Sequence, residues 1–196
     1  MPYTIRCDAD ASCVQCDKAK AASVMTRSDF TIAAAKPGDA VEIHGLVRAL
    51  ADYEKLDAAC VSTVSDIDRA LFGPHPAAEA LIARKIGNSQ AAVGFALFFH
   101  TFSTFLGRRS LWLEDLFVRP EHRGAGIGRA LLIALAVIAR DRQCGRFEWA
   151  VLDWNQSAIR FYETLGAVVL PDWRIARVAG GALERLAADN VRSPLS

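Results

Sequence analysis

The chain lacks any apolar run of the length a membrane span requires, about 20 residues. Its longest such stretch, residues 130–139, is closed by Arg129 and Arg140 and reads as a buried helix. A dominant charge sign is also missing. The 23 Lys and Arg residues against 22 Asp and Glu leave a formal net charge of +1, which argues against a basic nucleic-acid footprint. A balanced total still permits a locally charged pocket. No secretory pattern opens the chain, because Asp8, Asp10 and Asp17 interrupt every apolar stretch there. Cysteine is scarce in the sense that matters: Cys7, Cys13, Cys16, Cys60 and Cys144 are odd in number and irregularly spaced. That argues against a disulfide framework and for a reducing, cytoplasmic compartment. Cys13 and Cys16 form a CxxC with no second pair to complete four zinc ligands. His44, His75, His100 and His122 have no ligand-like spacing, so no metal is expected. Internal repeats and low-complexity tracts are absent.

What is present suits a packed core: 196 residues, 52% hydrophobic and 23% charged. The organisation reads as an extension over residues 1–27, one domain over 28–188 and a tail over 189–196, with Met25 an alternative start. A strand is expected at Phe30–Ala34. Asp39 with Glu42 signals a helix carrying Val41, Leu46, Val47 and Leu50 and ending near Tyr53-Glu54-Lys55. A second start signal is Ser65 with Asp68. A short helix at residues 76–80 and a strand at 81–85 follow, then a turn at Gly87-Asn88. Strands are expected at 92–104, 111–118 and 146–154. A long helix is expected at 124–142, and a short one opens at Asn155 and stops at Gly166. One or two final strands complete the pattern at 168–170 and 173–178. This order predicts a mixed α/β domain.

The sharpest feature is Arg123-Gly124-Ala125-Gly126-Ile127-Gly128-Arg129, set between a strand and the long helix. Closely spaced glycines let backbone N–H groups turn inward without obstruction by a Cβ. At a helix N-terminus those groups have no intrahelical acceptor and the dipole is positive, so the turn suits a phosphate or pyrophosphate. Arg123 and Arg129 could add charge-assisted bonds. The Walker pattern fails because no Gly-Lys-Ser/Thr follows. The dinucleotide pattern fails because Leu131 stands where its third glycine belongs.

The flanks carry a resemblance. LEDLFVRPEHRGAGIGRALL resembles the acetyl-CoA signature of the GCN5-related N-acetyltransferases, Arg/Gln-x-x-Gly-x-Gly/Ala, which falls on Arg123, Gly126 and Gly128. VLDWNQSAIRFYETLGA is similar to the family's later motif, with Asn155 and Phe161-Tyr162 in place. Together with LADYEKL and CGRFEWAVLDWN, these blocks resemble the diamine (spermidine/spermine) and thialysine acetyltransferase branch over roughly residues 30–186. At Ala34-Ala35-Lys36 the chain departs from the branch's usual Arg-Pro.

The resemblance implies a mostly antiparallel twisted sheet flanked by helices, with strands splayed at the acetyl-CoA site. Main-chain groups near Leu116, Phe117 and Val118 would hold the pantetheine arm. Those of Arg123, Gly124, Ala125, Gly126, Ile127, Gly128 and Arg129 would hold the pyrophosphate. Asn155 and Ala158 would touch the arm further along. The implied reaction is direct acetyl transfer in a ternary complex to a primary amine of a small polycation, or alternatively to an amino-acid-like amine or a protein lysine. A non-catalytic CoA sensor is a further alternative. The implied assembly is a homodimer, with neither nucleic acid nor membrane as partner.

An alkyl ammonium must lose a proton before it attacks, at a cost of about 4–5 kcal/mol at pH 7. Glu114 is the expected base, because a carboxylate in mid-strand among Leu, Trp and Phe is costly without a purpose. It could equally be solvated or paired with an Arg. Asp115, its neighbour, is expected on the opposite face. Tyr162 is the expected acid, since its phenol O–H could protonate the leaving thiolate; otherwise it is a core aromatic. By the resemblance, Tyr53 and Glu54 help line the amine channel; without it they are a solvated helix end. Glu114 and Asp115 would also bind the amine, and Asp153 could add negative potential. Cys144, beside a glycine, reads as a turn residue rather than a nucleophile.

Overall fold

The computed structural model describes residues 25–27, 29–87 and 91–189. The CxxC and Cys7 lie outside them. The chain divides into compact units at Ala150/Val151.

The first unit is a six-stranded sheet in chain order: β1 (Met25–Thr26), β2 (Phe30–Ala34), β3 (Glu79–Lys85), β4 (Ala92–Ser103), β5 (Arg108–Val118) and β6 (Phe147–Trp149). β1 to β5 pair antiparallel, and β6 runs parallel to β5. A parallel partner requires a crossover, which α3 (Ile127–Asp141) supplies. The pairing of Met25 with Ile32 carries the sheet ahead of the domain boundary expected at residue 28.

One face is covered by α1 (Ala40–Glu54) and α2 (Val64–Phe72). Ile43, Leu46 and Leu71 pack there with Ile82, Phe95 and Phe117. Helix α3 packs across β2 to β5 with Leu131 and Leu135 fully buried. None of its residues joins the α1 cluster, so it covers the opposite face. With both faces covered, β4 is buried through most of its first half, which explains why it reads as an unbroken apolar run rather than an alternation.

The helix starts differ from expectation in instructive ways. α1 begins after Asp39, but no side-chain cap forms. Asp39 instead accepts from the Lys36 N–H (2.9 Å) and from Arg84 Nη2 (2.8 Å), and Arg84 also pairs with Glu42. A tertiary ion pair has taken the capping carboxylate and ties α1 to β3. For α2 the capping box is Thr63 with Asp66, two residues before the expected Ser65 and Asp68. No helix forms at 76–80; Ala77 and Ala78 donate to the Ala70 carbonyl (2.8 and 3.2 Å), and β3 already begins at Glu79. Helix α3 starts at Ile127 rather than 124, because Gly124 and Gly126 take positive φ (81° and 82°).

The second unit holds α4 (Gln156–Glu163) and α5 (Gly181–Asp189). Asn155 caps α4 as expected, its Oδ1 accepting from the Ala158 N–H at 3.2 Å. The strands expected at 168–170 and 173–178 do not form: the apolar residues are there, but no ladder partner is. The expected strand 146–154 shrinks to β6, whose ladder ends at Leu113↔Trp149.

Candidate active site

The site grows from one irregularity in β5. Along the β4–β5 ladder Leu97 faces Asp115 and Phe98 faces Leu113, leaving Glu114 without a partner. This is a β-bulge, one extra residue on β5. It reverses side-chain parity. Leu97, opposite Asp115, packs against the α1 cluster, so Asp115 and Phe117 share the α1 face. Phe98, opposite Leu113, lies on the other face by alternation. The bulge therefore sends Leu113 and Asp115 to opposite sides of the sheet, although their spacing alone would put them on one.

Beyond the bulge, β5 has no strand partner on its β6 side among the described residues, since that ladder covers only Leu111 to Leu113. The Arg119 N–H donates to the Val93 carbonyl (2.9 Å) across the β4 ladder. By alternation, the main-chain groups of Leu116 and Val118 face the open side, and that of Phe117 faces β4. An extended chain added there would meet main-chain donors and acceptors.

The glycine turn follows directly. None of the N–H groups from Gly124 to Arg129 finds an acceptor among the described residues. A Cβ placed on Gly124 would meet open space. The first turn of α3 contains no acidic residue, so nothing opposes its positive end. These features fit a diphosphate, and so fit the carrier the sequence implies. Arg123 departs from expectation. Its N–H donates to the Pro120 carbonyl, its Nε to the Val118 carbonyl (3.0 Å), and its guanidinium carbon stands 4.4 Å from the centre of the Tyr53 ring. The side chain is committed to the end of α1 rather than to the turn.

That end of α1 is electrostatically unusual. Its last turn carries Asp52 and Glu54 and no basic residue, against the preference of a helix C-terminus for cations. Lys55, at φ 60°, stops the helix immediately after the Tyr53-Glu54 pair. Burial pushes the Glu54 carboxyl up. Asp115, half-buried, is pushed up to about 6, first by burial and then by the neighbouring charges of Glu114 and Glu54. Three carboxylates thus converge on the bulge, and the Tyr53 ring, between Asp52 and Glu54 in sequence, carries the Arg123 guanidinium.

The surroundings expected for Glu114 belong to Asp115. Glu114 is exposed, and its Oε2 accepts from Trp112 Nε1 at 2.9 Å. The bulge was the missed residue-level feature. The β5 sequence alone carries no mark of it, because Leu111, Leu113 and Phe117 keep one parity across the bulge. The Arg123–Tyr53 stack left no sequence trace.

In the second unit, Tyr162 lies half-buried on α4, its ring 5.5 Å from that of Phe161. Asp153 is exposed, and its carbonyl accepts from Gln156 Nε2. Among the other sequence candidates, His44 Nε2 is bound to the Ser62 carbonyl (2.8 Å), a structural role. Burial pushes the Cys144 thiol up, opposed by Arg109 and Arg142, which makes it a poor nucleophile. No His, Cys, Asp and Glu grouping among the described residues could hold a metal. No helix among them is long and apolar enough to cross a membrane.

The profile of the acetyltransferase (GNAT) family matches residues 47–167. A thialysine N-epsilon-acetyltransferase from Sus scrofa is 38% identical over 161 residues, covering 78% of this chain and 94% of that protein. A human spermidine/spermine N(1)-acetyltransferase-like protein is 34% identical over 155 residues, 76% of this chain and 22% of the other. Among solved structures, an integron cassette protein from the mobile metagenome of V. cholerae superposes with a TM-score of 0.67 at 26% identity, covering 81% and 97% of the two chains.

Proposed function

The chain belongs to the acetyltransferase (GNAT) family and is an N-acetyltransferase, and we propose that its acceptor is the side-chain amine of a small lysine-like amino acid. The observation that carries this reading is the meeting of Glu54, Glu114 and Asp115 at the bulge, with the Arg123 guanidinium stacked on Tyr53, the residue next to Glu54 on α1. The carboxylates suit an ammonium group. A nearby guanidinium suits an acceptor that also bears a carboxylate, and would repel a second amine. The relatives named for thialysine support the same choice. A polyamine is the second reading, favoured by the three carboxylates taken without Arg123.

Acetyl-CoA, when bound, supplies the activated acyl group. The free amides of residues 124–129 would hold its diphosphate, and the open edge of β5 at Leu116 and Val118 its pantetheine arm. Asn155 and Ala158 are proposed to contact the same arm. Asp115, rather than Glu114, takes the ammonium proton on a carboxylate oxygen. Burial raises its basicity, bringing it nearer the working pH, where a general base is most effective. Glu114 and Glu54 hold the substrate by charge, and the Tyr53 ring, already stacked on Arg123, forms the wall beside them. Tyr162 holds the phenolic proton for the departing sulfur. The assembly we propose is a homodimer in the cytoplasm.

A steady-state comparison of thialysine, lysine, ornithine, putrescine, spermidine, spermine and a lysine peptide, with free thiol detected, tests the reading. Highest kcat/KM is expected for the amino acids. A maximum at spermidine transfers the site to the second reading, and thiol release with none of them rejects both.

A further inference from the structure

Arg123 and Arg129 were the cations expected to reinforce the glycine turn, and Arg123 is stacked on Tyr53 instead. A different arginine stands at the turn. Arg27 follows the edge strand β1, at the bend that leads back into β2, where its N–H donates to the Phe30 carbonyl at 2.9 Å. A Cβ built on Gly126 would lie 3.6 Å from Arg27 Nη1, the one contact within 4 Å that it would make with a described residue beyond its chain neighbours. Gly126 is the residue that caps α3, in the middle of the run of amides without acceptors. Arg27 is exposed and forms no ion pair with any described residue. It lies ahead of the span matched by the family profile.

We propose that Arg27 is a phosphate-binding residue of the cofactor site, a guanidinium carried by the β1–β2 edge to the mouth of the glycine turn. This rests on reading that turn as the diphosphate site of a coenzyme A thioester. The chemistry favours arginine here. Backbone amides at a helix end offer donors and half a positive charge, while the diphosphate and the ribose phosphate of coenzyme A carry several negative charges. A planar guanidinium bridges two phosphate oxygens with parallel N–H donors. Gly126 leaves the space between amides and guanidinium empty of side chain, so an oxygen could touch both.

Calorimetric titration of coenzyme A and of 3′-dephospho-coenzyme A into the wild type, Arg27→Ala, Arg27→Gln and Arg27→Lys tests this without reference to turnover. At low salt Arg27→Ala and Arg27→Gln should weaken coenzyme A binding about tenfold, with Arg27→Lys recovering part of the loss and the difference shrinking as salt rises. If the loss persists with the dephospho form, Arg27 serves the diphosphate; if it vanishes, Arg27 serves the ribose phosphate. Equal affinity of the wild type and all three variants at low salt overturns the proposal while leaving the turn as the site. Absence of binding by the wild type itself overturns the reading of the turn.

Discussion

Asp115 and Glu114 are adjacent carboxylates with different surroundings. Glu114 reaches solvent and an indole N–H, while Asp115 lies half-buried on the α1 face with two other carboxylates for company. The shift of Asp115 from 3.8 to about 6 fixes a sign. A group whose pKa is higher folded than unfolded favours folding when protonated. Its contribution is fully present below about pH 4 and is lost as pH rises to about 6. We expect Asp115→Asn to be roughly 3 kcal/mol more stable than the wild type at pH 7 and about equal to it below pH 4, as denaturant titrations at both pH values will show. The same variant should lose most of its kcat/KM, together with the rise in wild-type rate through about pH 6; Glu114→Gln should lose affinity for the amine but keep that rise. Tyr162→Phe should lower kcat by about two orders of magnitude with coenzyme A affinity kept, since only the proton is removed. Unchanged turnover would leave Tyr162 as a packing residue.

At the scale of elements, two helix ends divide the labour. α1 brings its negative end, loaded with further carboxylates, towards Asp115, and α3 brings its positive end, kept clear of carboxylates, to follow β5. The bulge turns Asp115 to the α1 face, and the β6 ladder ends at Leu113, just before it. The turn itself depends on backbone conformation. Gly126→Ala puts a Cβ on a residue at φ 82°, a strain of about 1 kcal/mol. The Cβ also enters the gap beneath Arg27. A fall of a few degrees in Tm, with a larger loss of coenzyme A affinity than of amine affinity, is the expected result. Equal losses of the two affinities would point to general distortion instead.

For the whole molecule, the family match spans residues 47–167 and so includes parts of both compact units. The amides are in the first unit; Asn155, Ala158 and Tyr162 are in the second. A ligand that binds only the folded chain stabilises it by mass action, about 2.7 kcal/mol at one hundred times its Kd. For a chain of this length that corresponds to roughly 5–10 °C in Tm. Saturating coenzyme A should produce such a shift in the wild type and a smaller one in Gly126→Ala. A melting curve indifferent to coenzyme A would contradict the site.

The sequence by itself determined the local devices: the strands with their apolar stretches, the glycine turn before a long helix, the Asn155 cap and the Tyr53-Glu54 terminus of α1. Each is written in a few consecutive residues, because backbone conformation and helix capping act over that range. Family membership was legible for the same reason, in blocks such as LEDLFV and RGAGIG. Only the tertiary structure decided which carboxylate is buried, since a bulge is a mismatch between two strands and neither strand alone contains it. It also decided that Arg123 stacks on Tyr53 while Arg27 stands over Gly126. Long, flexible cations reach whichever surface the fold brings near, and that surface lies far away along the chain.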